Sequence, residues 1–544
     1  VRFTDFINPS YWKQKSFAKQ LNNYMKGANS TMEFIPSATR GIINTSVLFT
    51  RRMRENSVLY GGNENAIRYF YSTEAKQYKY HTFTSDGENY FWKNAGPEDR
   101  KIHSGLPQLI SEKMVDIIAG NGFSIKIKSI DGNEVIPKDE SDMLTAVLKD
   151  NNIGELLQKS IETESWSGGT AWKLSLDTSI SIYPIIEVVE PEEYSYIEKR
   201  GRIVADIFTK FYKHLDRKFR LREIYGVDDE GSFINYTLEV FNDEAGKEEW
   251  IAVSLETIPE TAGLKTLKLK GYFEKLSLYK PNKTPNSEFR GTKYGESDYA
   301  GSYGLFDGLD EILSTHLEEY RNSGLDVYIP SKYAEQSPEG EVFAKKLKKR
   351  HITYDSSLAE GTVEKIQYGQ GDLRTEKHTE SFNQVRDEIL NNSGIAPSTI
   401  GAVSQESIDA SAESQQEREK TTIRTRNKKI KLWMPFLNKI IGVLMTINDM
   451  KDTIVDGMNI DPETMEEVTG TFKVYDIATV FEDYIIKSKK DRTGEVSENG
   501  VVAWSVKKAV EYVHEELSPT DVEKMVAEIR EDNIITEASK NVGA

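Results

Sequence analysis

Apolar residues recur every three or four positions in several long stretches of this chain, and alternate with polar ones in others. Residues 9–26 run from Pro9 to a stop at Gly27, with Tyr11, Trp12, Phe17, Leu21 and Tyr24 toward one side, which predicts a helix. Further helices are predicted at 42–60, ending at Gly61-Gly62-Asn63, and at 105–119, with Leu109, Met114, Ile117 and Ile118 in register and Gly120 as terminator. Two short helices are expected within 141–167, broken at Gly154. The period then shortens. Stretches at 170–188, 203–209, 219–226, 233–241 and 267–279 are rich in Val, Ile, Tyr, Phe and Thr, with Gly, Asp and Asn turns between them, and predict a mostly antiparallel sheet.

Helical spacing returns near 298 and carries Leu305, Leu309, Ile312, Leu313, His316, Leu317 and Tyr320 to a stop at Gly324. Short strands are expected at 325–329 and 362–368, with a charged segment, EVFAKKLKKRHI, between them. A second helix over 373–392 presents Phe382, Val385 and Ile389 on one face and ends at Gly394, and Pro397 then forces an extended segment. The loop 394–411 is small and polar. A long helix is expected from Ser414, where Ser414 and Glu417 form a capping-box pattern, to about 447, kinked at Pro435 because proline lacks the N–H and crowds the preceding turn. A strand near 471–475 and helices at 502–516 and 519–532 close the chain. This is an α+β pattern.

Length and charge narrow the function. A chain of 544 residues suggests about three or four structural units. Seventy basic against 87 acidic residues give a net charge of −17. That is unlike a sequence-specific DNA binder, which needs a positive face. It suits either a soluble protein that avoids nucleic acid or a conduit through which DNA slides. With no cysteine, disulfides, thiolate metal sites and a Cys nucleophile are excluded. The first residues, VRFTDFINPSYWK, contain no apolar run, so no signal peptide is expected, and no run approaches 18 apolar residues, so no membrane association is expected.

Motifs for chemistry are sparse. There is no G-x-x-x-x-G-K-[ST] phosphate loop, no H-E-x-x-H and no G-x-S-x-G. Ser167-Gly168-Gly169-Thr170 reads as a turn feeding a strand. His316 lies on the apolar face of its helix and reads as a core or interface residue, and His514 as solvated. The acidic pairs Asp228-Asp229 and Glu192-Glu193 fall in turns or beside Pro191. No cofactor and no metal site is expected. Two basic clusters have both a bland and a functional reading. Lys345, Lys346, Lys348, Lys349 and Arg350, with His351, form either a solvated helix face or a contact for an acidic partner or a DNA backbone. Arg418, Lys420, Arg424, Arg426, Lys428, Lys429 and Lys431 point in several directions, and most of them read as surface or salt-bridge residues.

Several segments, in this order, resemble the portal proteins of tailed bacteriophages, in particular those of phages and prophages of Gram-positive bacteria. GESDYAGSYGLFDGLDEILSTHLEEYRNS at 295–323 resembles that family's Gly-x-Ser-Asp-Tyr lead into its first stem helix. ILNNSGIAPSTIGAVSQESIDASAESQQEREK at 389–420 resembles its second stem helix, tunnel loop and the start of a long helix, including Ala412-Glu413-Ser414. Weaker likenesses lie at 55–63, 105–125, 164–177 and 522–533.

The resemblance implies a portal-protein fold with an α/β wing at 1–297, stem helix 1 at 298–324, a small α/β clip at 325–371 and stem helix 2 at 372–395. It also implies a tunnel loop at 396–411, a long kinked helix at 412–449, a wing return segment at 450–499 and a helical C-terminal crown at 500–544. It implies no enzyme but a ring, normally a dodecamer, at one capsid vertex of a virion assembled in the host cytoplasm. Double-stranded DNA would be packaged and ejected through the ring's channel. The expected partners are terminase, a head-completion adaptor, capsid protein and scaffolding protein. The expected tunnel-loop residues are Pro397, Ser398, Thr399, Ile400, Ser404, Gln405, Glu406 and Ser407, and the basic run 345–350 falls in the clip. The loop has no Lys or Arg, so it is expected to act on DNA by shape and packing. The competing readings are a metal-dependent DNA-processing enzyme of the packaging apparatus and a capsid or baseplate scaffold without DNA contact.

Overall fold

The computed structural model describes residues 40–63, 66–67, 79–83, 90–94, 102–177, 179–242, 249–322, 326–330, 335–336, 342–343, 351–354, 367–369, 373–401, 412–458, 468–469, 472–482, 506–513 and 521–530. The chain forms two compact units, Val1–Phe481 and Glu482–Ala544. The helix expected at 9–26 and residues 362–366 of the strand expected at 362–368 lie outside the described residues.

The first unit mixes helix and sheet. Its first described elements are α1 (Arg40–Gly61), the antiparallel pair β1 (Lys79–Phe83) and β2 (Tyr90–Asn94), α2 (Leu106–Ala119) and β3 (Phe123–Ile130). Proline at the start of α2 sets its first turn, and Leu106, Ile110, Met114, Ile117 and Ile118 form its buried stripe. Next come α3 (Lys138–Asp150) and α4 (Ile153–Ser167). The break between them falls at Asn152, which is left-handed at φ 47°, and not at Gly154, which lies in the first turn of α4. Asparagine tolerates that backbone nearly as well as glycine does, so the sequence pointed to the wrong small residue.

Gly168 ends α4 in the left-handed region and Gly169 opens β4 (Gly169–Ser175), so Ser167–Thr170 is the turn expected. Then follow β5 (Ile185–Val189), β6 (Tyr194–Lys199), β7 (Arg202–His214), β8 (Arg217–Val227), β9 (Gly231–Asn242), β10 (Glu249–Val253), β11 (Leu267–Lys270) and β12 (Ser277–Pro281). Strands β6 to β9 form an antiparallel meander, and β9 is met on its far edge by β11 along one half and by β10 along the other. One face of the meander packs Phe219, Leu221 and Leu238 against Ile258. A separate sheet has the order β12-β4-β5.

Two helices follow that the sequence anticipates, α5 (Tyr303–Asn322) and α6 (Thr375–Ser393). Between them are the short strands β13 (Asp326–Pro330), β14 (Glu335–Gln336), β15 (Val342–Phe343), β16 (His351–Tyr354) and β17 (Gln367–Gly369). Helix α5 begins five residues later than expected, because Ser297, Asp298 and Ser302 use their hydrogen bonds in buried non-helical turns. The long helix α7 covers Ala412–Met458, starting before the proposed Ser414 cap and ending well past 447. Ala and Glu propagate a helix readily, so Ser414 lies inside it. The helix continues through Pro435, where a kink is expected from the sequence.

Part of α7, within Glu419–Ile454, is long and apolar enough to cross a membrane by composition. Its apolar residues are instead core: Trp433, Leu437, Ile441 and Leu444 are fully buried. Trp172 of β4 meets Phe436 edge-on at 5.2 Å. After β18 (Val468–Thr469), β19 (Tyr475–Phe481) pairs with β3 and runs against α7. The approach is close at Gly442, where a Cβ would lie 2.7 Å from the Tyr475 carbonyl oxygen. The strand expected at 471–475 is therefore displaced toward the C-terminus.

The second unit contains α8 (Val506–Val513) and α9, residues 521–530. Val510, Val522 and Val526 form its core, with Val506, Met525 and Ile529 packed around them.

Candidate functional site: a helix pair and the loop that follows it

Helices α5 and α6 run antiparallel. His316 stacks flat on His378 at 5.1 Å, and one turn further Glu319 accepts a hydrogen bond from His378 Nε2 at 2.9 Å and pairs with Arg374. The interface reading of His316 therefore agrees with its position. Burial is graded along the pair. Phe306, Leu309 and Asp310 of α5 and Ile389, Leu390 and Ser393 of α6 are buried at one end. Toward the other end Ile312, Leu313, Leu317, Phe382 and Val385 are only half-buried and Tyr320 is 67% exposed.

The buried end is fixed by the segment that leads into α5. Ser297 Oγ donates to the carbonyls of Ser165 and Trp166, at 3.0 and 2.9 Å. Tyr299 OH donates to the Pro107 carbonyl at 2.6 Å and lies 2.8 Å from Ser111 Oγ. Asp298, wholly buried, accepts from Lys429 of α7 at 2.6 Å and pairs with Lys283 at 3.1 Å. Lys429 also donates to Asn282 Oδ1 at 2.6 Å. Burial opposes the Asp298 charge, but Lys429 and Lys283 outweigh it and bring its pKa down to about 2. The Gly-x-Ser-Asp-Tyr residues thus tie α2, α4 and α7 to the start of α5.

A second buried pair lies beside the first. Lys280 and Glu164 pair, Trp433 Nε1 donates to Glu164 Oε1 at 2.9 Å, and the Lys280 ammonium sits 4.2 Å above the Trp433 ring. Burial pushes the Glu164 carboxyl up and the Lys280 ammonium down, to about 8.

His103 clamps α5 from the other side. Its Nδ1 lies 2.7 Å from Asp310 Oδ2 and its Nε2 2.9 Å from the Leu59 carbonyl. With Asp310 ionised both partners are acceptors, an arrangement that favours a ring protonated on both nitrogens. Burial lowers the His103 pKa, but the hydrogen bond and charge of Asp310 and the Leu59 carbonyl together raise it above the usual value. A raised folded pKa gives stability that is complete below about 6.5 and is lost as pH rises through the folded value. His103→Gln should therefore flatten the alkaline side of the stability-against-pH curve in urea titrations. An unchanged slope there would contradict the imidazolium.

At the end of α6, Gly394 is left-handed at φ 82°, its N–H donates to Asn391 O, and Ile395 N–H donates to Leu390 O. The chain then lies on α7. Ala396 N–H donates to Thr422 Oγ1 at 2.9 Å, and Thr399 Oγ1 is 2.9 Å from the same atom. Pro397–Ile400 form one 3₁₀ turn, closed by Gly401 at φ 75°. Pro397, Ser398, Thr399 and Ile400 are thus half-buried residues at an anchored loop base. Ser404, Gln405, Glu406 and Ser407 lie outside the described residues, as do Lys345, Lys346, Lys348, Lys349 and Arg350.

The basic cluster on α7 divides. Lys420, Arg424, Lys428 and Lys431 are exposed, as expected of most of the cluster. Lys429 and Arg426 are buried, with Arg426 Nε donating to the Ile117 carbonyl at 2.8 Å. These two and Thr422 are positioning residues whose burial the sequence does not mark out, and Asp298, which lies in the Gly-x-Ser-Asp-Tyr segment, is a fourth. Their partners lie more than a hundred residues away or across a loop.

One member of each acidic pair has a structural role. Glu192 sits in a 3₁₀ turn and pairs with Arg54 at 3.2 Å, and Asp228 Oδ1 caps the N–H groups of Glu230 and Gly231. Among the described residues no three His, Asp or Glu side chains gather as a metal site.

No family model matches the chain, and no curated protein matches it. Among solved structures it is similar to a chain from the virion of a native gene transfer agent particle, at 11% identity and a TM-score of 0.36, over 75% of this chain and 89% of that one. It is also similar to a chain from the neck of an empty gene transfer agent particle, at 10% identity and a TM-score of 0.39, over 75% and 90%. These structural neighbours are particle components, and neither likeness is close enough to assign a role.

Proposed function

We propose that this chain is the subunit of a ring-shaped portal at one capsid vertex of a phage-like particle, through which double-stranded DNA passes during packaging and ejection. The observation that carries the reading is the antiparallel α5–α6 pair. One end is locked into the body by the residues that resemble the portal motif. The half-buried Leu313, Leu317, Phe382 and Val385 toward the other end suit coverage by a neighbouring copy. The loop that leaves this pair is held at its base by Thr422 and contributes no Lys or Arg, which suits a passage that must not grip phosphate. In this reading the chain has no catalytic role, terminase supplies the motor, and the clip docks terminase and later the head-completion adaptor.

Light scattering with negative-stain imaging tests the ring directly. A closed assembly is expected, and a stable monomer at high concentration would overturn the proposal. Gln405→Lys with Glu406→Lys is expected to impair DNA filling of particles, because two cations at a constriction add phosphate contacts that resist sliding. Normal filling by that variant would remove the loop from the DNA path. Metal-dependent DNA cleavage that tracks the purified chain would favour the enzyme reading instead.

A further inference from the structure

The β7–β8 hairpin is, beside the cluster on α7, a strongly basic stretch among the described residues of an otherwise acidic chain. Over 210–222 it carries Lys210, Lys213, Arg217, Lys218, Arg220 and Arg222 against Asp216 alone. No contiguous run reveals this, because strand alternation sends the residues to opposite faces.

The register shows which of them share the face turned away from the core. Phe211, Arg220, Glu239 and Ala252 lie in one row across β7, β8, β9 and β10. Lys213 pairs across from Lys218, and Trp250 from Phe241. The opposite face holds Phe219, Leu221 and Leu238, whereas this face buries Arg220, Arg222 and Glu239 and leaves Phe211, Lys213 and Lys218 exposed.

On that outer face two guanidinium groups share one carboxylate, since Arg220 and Arg222 both pair with Glu239. One positive charge is left over. Arg222 is 8% exposed, and its buried Nε has no hydrogen-bond partner. Arg220 stacks 4.4 Å over Trp250, and Phe211 and Phe241 flank the same ring at 6.1 and 5.2 Å. Phe211 is 56% exposed. At the hairpin tip Leu215 is 84% exposed and, like Asp216, has a positive φ. A leucine in that conformation and that exposure contributes nothing to folding. The connection 243–248 lies outside the described residues.

We propose that this face docks an acidic protein segment that carries an apolar anchor. Carboxylates on the partner would meet the exposed Lys213 and Lys218, and an apolar side chain would cover Phe211, Trp250 and Leu215. Duplex DNA suits the face less well. Its base faces are stacked inside and its outer surface is mainly sugar and phosphate, which gives the exposed aromatic and leucine side chains a poor partner. The inference stands independently of the ring proposal.

The test uses the full chain and fluorescence anisotropy with three probes: a labelled short peptide alternating Glu and Leu, its Lys–Leu counterpart, and a labelled DNA duplex. Salt-sensitive binding of the Glu–Leu peptide alone is expected. It should weaken by about tenfold or more in Lys213→Glu with Lys218→Glu, and again in Phe211→Ser, because rim charges and exposed anchors both contribute. All three replaced side chains are exposed, so the unfolding midpoints should stay at the parent value and confirm that the fold is intact. No binding of the acidic peptide, equal binding by the folded variants, or preferential duplex binding lost in Lys213→Glu with Lys218→Glu would each overturn the proposal.

Discussion

Replacing Asp298 by alanine should lower the unfolding free energy of the first unit by about 3–5 kcal/mol, the cost of leaving a buried charge without its partner. The carboxylate is wholly buried and accepts from Lys429 at 2.6 Å, with Lys283 at 3.1 Å. Without it the Lys429 ammonium, itself 2% exposed, keeps Asn282 Oδ1 as hydrogen-bond acceptor and the charge of Glu164 nearby. Lys429→Met should cost less, because Asp298 then still has Lys283, whose side chain is 30% exposed and brings hydration with it. Urea denaturation of the two variants checks that order, and a reversed order would mean that Lys283 does not hold Asp298 once Lys429 is gone. The folded pKa of about 2 for Asp298 gives a second check. A depressed carboxylate pKa contributes stability that is full above about 4 and is lost as pH falls toward the folded value. Asp298→Ala should therefore remove part of the acid limb of the stability curve. Because Asp298 joins the start of α5 to α7, its loss should also loosen the helix pair from the body.

The sequence made the helices legible where a single amphipathic stripe had to face one neighbour. Leu109, Met114, Ile117 and Ile118 marked α2, and Gly394 marked the end of α6, because a local pattern and a local backbone requirement coincide there. Boundaries moved where tertiary hydrogen bonds competed. Asp298 and Ser302 delay α5, Asn152 takes the left-handed turn in place of Gly154, and α7 extends to Met458. The buried ion pairs were hidden for a different reason. Lys280, Lys429 and Arg426 look like surface residues in sequence, and only their partners Glu164, Asp298 and the Ile117 carbonyl, brought in by other elements, make burial affordable. The outer face of the β7–β8 hairpin escaped notice because its charge is spread over alternate positions of two strands. Of the loop itself, the sequence located the hinge but not its anchor. Thr422 is one polar residue among many on a charged helix, and its role follows only from Ala396 lying against it.

That anchor makes Gly394→Ala the second variant with a large expected effect. At φ 82° an L-residue is strained by roughly 1–2 kcal/mol. Here a Cβ would also lie 2.4 Å from Thr425 Oγ1 and 3.2 Å from its Cγ2. Thr425 is β-branched and sits on a helix, so its side chain has few other rotamers to move into. Strain and collision together should cost about 2–3 kcal/mol. The two contributions can be separated. Thr425→Ala in the Gly394→Ala background should recover the collision and leave the backbone strain, roughly 1 kcal/mol. Four denaturation curves complete this cycle, and no recovery in the double variant would show that the collision is relieved by other means. The same pair bears on the proposed role. Thr425 lies one turn from Thr422, which holds Ala396 and Thr399. Pushing α6 away from α7 at Gly394 should release the loop base while leaving the half-buried α5–α6 face unchanged. Rings should still assemble from Gly394→Ala, but DNA filling should fall and should return in part with Thr425→Ala. Failure of the rings to assemble would instead place the 394–401 segment at the contact between copies.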